Sequence, residues 1–535
     1  MIMAKNENKQ NTYIGQTNMN TVQSSAAQQA PAAPRMPSQI PYIIANEGCE
    51  RFSFYGMRNI LTVFLMTSLL LSIPEELRKD QAKEVFHSFV IGVYFFPLLG
   101  GWLADRFFGK YQTIFWLSLV YCAGHACLAF SDNNINSFYT GLFLIALGSG
   151  GIKPLVSTFV GDQFDKSNRS LAQKVFDSFY WIINFGSFFA TLSMPILLKS
   201  FGPSVAFGVP GVLMFIATMV FWSGRRKYIN VPPAPSNPHS FLKVVGSSLK
   251  AGPVGMSLGL LGALLAAYSL YRTPTLGLVP ALCLALVLVM SFGGVGAWTQ
   301  LDRVRGVHPG EAVDGAHAVL RLLVFFALVT PFWSLFDQKA STWILQADQM
   351  AKPAWFQSSM MQALNPALVM ILIPLNNALL YPLLGRMGIQ VTALRRMGAG
   401  IALTGLAWVI VGVFQLWIDG GSTVSIVWQI APYMVLTMGE VLVSATGLEF
   451  AYSQAPLAMK GTITSFWNLS VTVGNLWVLL SNLSVKGDAV TGYVKAQGIS
   501  VTAFQMFFFA GFAMLAALCF ALYARSYQMQ DNYRS

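Results

Sequence analysis

The stretch Glu47-Gly48-Cys49-Glu50-Arg51-Phe52-Ser53-Phe54-Tyr55-Gly56 puts two carboxylates and a guanidinium inside an apolar segment long enough to cross a bilayer. A charged residue at the membrane centre costs roughly 2.5–3.5 kcal/mol on insertion scales, so three together need a compensating purpose. On a helix Glu47, Glu50 and Arg51 fall at i, i+3 and i+4, which is one face. Hydrocarbon offers that face no partner, so it lines a polar cavity or a protein interior. It is either an ion cluster locking helices together or a site for protons or substrate, and the second is favoured.

Composition extends this to the whole chain. Charged residues are 10% of the 535, against about 25% in an average soluble protein. Hydrophobic residues reach 54% and mean hydropathy is +0.54. Apolar stretches of spanning length recur from about residue 41 to 526, roughly fourteen of them by the usual length of a span, with short loops between. The expected fold is therefore an all-α polytopic membrane protein. The net charge of +12 reports topology rather than nucleic-acid binding. With the N-terminus placed in the cytoplasm, Arg225-Arg226-Lys227, Arg303 with Arg305, and Arg395-Arg396 all land on that side, the positive-inside pattern, with both termini cytoplasmic. The five cysteines (Cys49, Cys122, Cys127, Cys283, Cys519) show no spacing suited to a disulfide framework or a metal site, and no HExxH motif is present. No metal, cofactor or nucleic acid is expected.

Residues 1–39, rich in Gln, Asn, Ala and Pro, read as a disordered cytoplasmic tail without a signal peptide. Six spans occupy 40–227. A linker, 228–302, carries an inserted pair at roughly 253–271 and 276–299, nearly uncharged and suited to face lipid. Six more spans occupy 303–527, and 528–535 form a short cytoplasmic tail. A weak echo links the halves: Gly100-Gly101-Trp102-Leu103-Ala104-Asp105-Arg106-Phe107-Phe108-Gly109-Lys110 after the second span, Leu384-Gly385-Arg386-Met387-Gly388 at the matching place later. Two six-helix halves with matching loops suggest a transporter built from repeats, its cargo held midway.

The first of those loops resembles the loop motif of the major facilitator superfamily at Gly101, Asp105, Arg106, Gly109 and Lys110. The stretch Glu47–Gly56 resembles the ExxERFxYYG signature of the proton-dependent oligopeptide transporter (POT or PTR) family. Gly148–Phe164, Phe332–Gln338 and Gly447–Pro456 are similar to further segments of that family. The inserted pair resembles that of bacterial members. The lack of a large insert near Asp419–Ser425 points away from the animal ones.

The resemblance implies a major facilitator fold, two six-helix bundles plus the inserted pair, that is not an enzyme. It implies symport of di- and tripeptides with protons by alternating access, in the inner (plasma) membrane, as a monomer. It also implies residue roles. Glu47, Glu50 and Arg51 would couple protons, with Arg58 seven residues on returning to a similar face. Arg58 and Lys153 would meet the peptide carboxylate. Tyr55, Tyr94, Asn184 and Asn365 would contact the peptide, Trp333 and Trp467 would wall the site, and Glu440 would take the amino group.

Charge logic supports this independently. A zwitterionic peptide needs a cation and an anion held apart, and here the cations lie in the first half and Glu440 in the second.

Several positions carry a plainer alternative. Lys153 could snorkel to the interface. Glu440 could simply bond helix to helix. Asp337 reads equally as a proton site, an outer gate or a structural pair with a nearby cation. Arg321 is 16 residues earlier, about 24 Å along a straight helix, too far to be that cation, and suits an inner gate. His87, near a helix end, reads as solvated or, by likeness to animal members, as a proton acceptor. Two departures from the family pattern stand out: Phe54 replaces the first tyrosine of YYG, and Asn377 stands where animal members have an acid able to pair with Arg321. Nitrate or amine cargoes, an intramembrane enzyme, and a channel or receptor are the competing classes. The paired carboxylates and Glu440 favour peptides, and no nucleophile with a base partner lies in the spans.

Overall fold

The computed structural model describes residues 36–131, 134–164, 172–233, 237–454, 460–485 and 488–527. Most of the expected tail at 1–39, and the tail at 528–535, lie outside the described residues. Gln39 is buried and its amide donates to Gln163 at 3.2 Å.

Eleven segments are long and apolar enough to span a membrane. One, Glu75–Ala129, holds two helices. The charged first helix and Lys460–Val485 complete fourteen long helices among the described residues. The first six are α1 (Ile40–Phe64), α2 (Glu75–Leu103), α3 (Gly109–Ala129), α4 (Ile135–Asp162), α5 (Ala172–Phe201) and α6 (Pro203–Ser223). A short amphipathic helix, α7 (Phe241–Lys250), precedes the inserted pair α8 (Pro253–Tyr271) and α9 (Leu278–Trp298). The second set is α10 (Gly310–Gln338), α11 (Leu364–Leu375, continuing through a π-turn to Arg386), α12 (Ala393–Asp419), α13 (Ile430–Gln454), α14 (Lys460–Val485) and α15 (Val501–Ser526).

Two features were not legible in the linker. α7 turns Phe241 and Val244 inward onto the second-half core, so the linker is anchored. α9 is not wholly lipid-facing: Cys283 joins Ile91 of α2 and Leu476 and Leu479 of α14, packing the inserted helix across the seam between the halves.

The echo between the halves has a structural counterpart. Each loop follows a π-turn (Ala104–Phe108, Asn376–Leu380) and bends at a glycine with positive φ, Gly109 at 75° and Gly388 at 77°. A side chain would be strained at both. Lys110 Nζ anchors the first loop to Asp162 at the end of α4, at 2.6 Å.

Small residues also set α4. A Cβ on Gly100 would sit 2.1 Å from the Gly150 carbonyl oxygen, and one on Gly148 would sit 2.7 Å from the Leu117 oxygen. The Gly148-Ser149-Gly150-Gly151 run thus lets α4 touch the backbones of α2 and α3, as small residues do in membrane helix packing. That contact fixes where Lys153, two residues on, must project.

The loops carrying Arg106, Lys110, Arg225, Arg305 and Arg395 define a basic face. Toward the opposite face the halves are tied together. Thr62 Oγ1 donates to the Ala340 carbonyl at 3.0 Å, and Gln362 Nε2 donates to Asn59 Oδ1 at 2.8 Å.

Candidate functional site

A cavity sits on the seam between the halves, about 80 Å³ in volume. It is lined by Tyr55, Arg58 and Asn59 of α1, Tyr94 of α2 and Asn184, Ser187 and Thr191 of α5. From the second half come Phe336, Lys339, Gln362, Asn365 and Glu440. Typical ligand pockets run about 300–1,000 Å³, so this is a contracted conformation.

Its first charged group crosses the seam. Arg58 Nη2 donates to Asp337 Oδ1 at 2.5 Å, and both side chains are buried. Asn475 of α14 donates through Nδ2 to Asp337 Oδ2 at 2.6 Å. A carboxylate only accepts, so Asn475 turns its amide nitrogen there and its Oδ1 toward His87 Nδ1, 2.7 Å away. Nδ1 therefore carries a proton, while His87 Nε2 lies 3.1 Å from Ser341 Oγ. The chain His87–Asn475–Asp337–Arg58 runs from near the opposite face to the cavity. His87 itself is fully buried, which corrects the solvated helix-end reading: α14 and the segment after α10 close over it.

The second charged group belongs to the second half. Lys339 Nζ donates to Asn365 Oδ1 at 2.9 Å, and Asn365 Nδ2 donates to Glu440 Oε2 at 2.5 Å. Asn365 thus bridges a cation and an anion, and Glu440 already has a partner. Lys339 also lies over the Phe336 ring, 3.2 Å from its centroid.

Beneath the cavity lies the cluster that opened the sequence. Arg51 Nε donates to Glu47 Oε1 at 2.6 Å and is 3.3 Å from Glu50 Oε2. Glu47 and Glu50 are 1% and 0% exposed, so no lipid reaches them.

Lys153 does not snorkel. Its Nζ is buried without a hydrogen-bond partner, 3.4 Å from the Phe54 ring centroid and 4.6 Å from that of Tyr94. A desolvated ammonium over an aromatic face gains about 2 kcal/mol. Phe54 therefore supplies a ring face for Lys153, as the tyrosine of the family pattern would.

Lys153 is not among the residues lining the cavity, and four other expected residues also lie elsewhere. Trp333 and Trp467 do not line the cavity. They meet edge to face at 5.9 Å in the second-half core, against which Tyr94 packs. Gly447 leaves room for the Trp467 ring, which a Cβ there would approach to 2.2 Å. Arg321 and Asn377 are not brought together. Arg321 is exposed, its guanidinium 5.6 Å from the Trp298 ring centroid on α9, and Asn377 is exposed on α11. α9 packs beside α10 and so claims the face of Arg321 that a gate would use.

Sequence reading missed Asn59, Gln362, Lys339 and Asn475. Lys339 stood one residue past the Phe332–Gln338 segment. Asn475 stood as a lone amide in an apolar run, and a polar residue inside a span usually has a partner.

The sequence matches the family model described as PTR2, POT family, over residues 111–267 and 297–497. It is 33% identical over 398 residues to peptide transporter 3 of Caenorhabditis elegans, covering 71% of this chain and 51% of that protein. To human solute carrier family 15 member 2 it is 33% identical over 400 residues, covering 72% of this chain and 49% of that protein. The chain thus spans about half the length of these curated relatives. Among solved structures, the POT family transporter PepTSo is 70% identical at a TM-score of 0.91, covering 94% of this chain and 100% of that one. An auto-inhibited POT family peptide transporter is 62% identical at a TM-score of 0.90, covering 93% and 99%. With the family model matching in both halves and that fold shared along nearly its whole length, the chain belongs to the POT family of multi-pass membrane transporters.

Proposed function

We propose that this protein is a proton-coupled symporter that imports di- and tripeptides by alternating access. It works as a monomer in the inner (plasma) membrane with both termini and the basic face in the cytoplasm. The observation that carries the reading is the charge layout of the cavity, with Arg58 on the first half, Glu440 beside Lys339 on the second, and Lys153 over the ring of Tyr94, which lines it. The names of the relatives, peptide transporters among them, support the same cargo.

Each terminus of a peptide exchanges with an internal partner already in place. The carboxylate takes Arg58 from Asp337, and the ammonium takes Glu440 in place of the Asn365–Lys339 bridge. Side-chain amides at Asn184 and Asn365, with the Tyr55 and Tyr94 hydroxyls, serve the peptide backbone. Because the two ends lie on different halves, a bound peptide draws them together, the differential interaction that a switch requires.

Proton coupling uses the same geometry. Asp337, joined through Asn475 to His87, would take its proton from the outer side along that chain. A proton on Asp337 removes its charge and releases Arg58 for the peptide. Lower outside pH therefore favours opening on that side. The Glu47–Arg51–Glu50 cluster, on the cytoplasmic side of the cavity, hands the proton on when Arg51 parts from either carboxylate. Trp333 and Trp467 form the packed wall below.

Uptake of a labelled dipeptide into proteoliposomes tests the reading. Accumulation is expected only with an inward proton gradient, abolished by a protonophore and competed by other di- and tripeptides but not by free amino acids. No uptake by folded protein would overturn the cargo assignment.

A further inference from the structure

A second cavity lies outside the transport site. It has a volume of about 480 Å³ and runs between α9, α10, α14 and α15, open toward the bilayer. Its wall is apolar along Val287, Val324, Ala327 and Val473. Apolar cavities do not hold water, so a groove of this kind facing the membrane is filled by hydrocarbon.

One end differs from the rest. Arg321 projects there beside Trp298, the last residue of α9, and Tyr523 donates its hydroxyl to the Arg321 carbonyl at 3.3 Å. Contact with the end of α9 sets Arg321 at the interface level of the basic face, where tryptophan and tyrosine concentrate. Among the described residues its guanidinium has no ion-pair partner, only the Trp298 ring. The acid nearest Arg321 in the chain, Asp314, is occupied by Arg305 at 2.6 Å, and the one nearest Trp298, Asp302, by Arg305 at 2.9 Å and His317 at 3.6 Å. Among the described residues, then, the groove end presents a cation without an ion-pair partner, joined to a slot for a chain.

We propose that this groove binds one anionic phospholipid, its phosphate on Arg321 and an acyl chain along α9 and α10. Basic pockets between membrane helices on the cytoplasmic side are suited to such headgroups. The lipid cements the inserted pair to the second bundle, and Arg321 serves that contact rather than a gate with Asn377. The proposal does not depend on the identity of the cargo.

Native mass spectrometry of the purified full chain tests it, with dioleoyl phosphatidylglycerol or dioleoyl phosphatidylcholine titrated into detergent. The parent protein should retain one phosphatidylglycerol about fivefold more tightly than phosphatidylcholine, the size expected for one basic residue at a membrane surface. Arg321→Gln should erase that preference, and Arg321→Lys should keep it. Ala327→Trp, at an exposed groove position, should expel both lipids. Circular dichroism establishes that each variant is folded. Equal retention of the two lipids by the parent, an undiminished preference in Arg321→Gln, or full binding in Ala327→Trp would each overturn the proposal.

Discussion

The two buried acid–base clusters of this protein are built in opposite ways. Glu47, Glu50 and Arg51 lie within one turn of one helix, so rigid movement of the halves leaves their spacing unchanged. Arg58, Asp337, Asn475 and His87 come from α1, α10, α14 and α2, and two of their bonds, Arg58–Asp337 and His87–Asn475, exist only while the halves meet. A cluster confined to one helix can store a proton but cannot by itself register which side is open. The cluster that crosses the seam registers it directly. In the proposed symport cycle coupling would need both, the first cluster to pass the proton on and the second to hold the outer side closed.

The sharpest way to break the comparison is Glu50→Gln. It should abolish gradient-driven accumulation in proteoliposomes while leaving gradient-free exchange of labelled for unlabelled peptide intact. Loss of both would mean that the local cluster also carries the conformational change. Next in size is Asp337→Asn, which leaves Arg58 buried beside a neutral partner. Breaking a buried pair in this way costs about 3–5 kcal/mol, here charged to the state closed on the opposite face. Adding Arg58→Gln should restore closure, read by hydrogen exchange of the opposite-face ends of α1 and α10, but not peptide uptake.

Asn475→Ala separates His87 from Asp337 and removes a hydrogen bond to a carboxylate, an effect of about 3 kcal/mol. Uptake should lose its rise at low outside pH while peptide binding at fixed pH is kept. An unchanged pH profile would remove His87 from the proton path. The smallest effect belongs to Phe54. Phe54→Leu withdraws the ring face from Lys153 and should weaken peptide binding by about 1–2 kcal/mol, whereas Phe54→Tyr keeps a face and should stay near the parent. Isothermal titration with a dipeptide separates the two.

What the sequence made legible follows the same division. The Glu47–Arg51 spacing is local, so helical periodicity alone placed those groups on one face. Span count and the inserted pair were visible because bilayer thickness imposes a length. The Arg58–Asp337 pair was open to neither argument, since its members are 279 positions apart and only packing joins them. Asp337 could be read as a proton site, an outer gate or the partner of some cation, without that cation being identified. Lys339 was overlooked because it follows the motif rather than sitting in it. The Trp333–Trp467 contact and the parting of Arg321 from Asn377 depend on which helices are neighbours in this conformation, as does the burial of His87 by α14. The packing face of α9 escaped notice because an uncharged apolar helix looks the same against lipid as against protein.

The most direct test is a distance across the opposite face. Spin labels at Leu71→Cys and Trp355→Cys, both exposed positions on different halves, would be placed in a chain whose five native cysteines are replaced by alanine. Pulsed electron resonance then reads the separation in nanodiscs. The account predicts that Asp337→Asn adds a longer distance absent from the parent, while Glu50→Gln keeps the parent distribution. A parent-like distribution in Asp337→Asn, or a lengthening in Glu50→Gln, would contradict the division of labour between the two clusters.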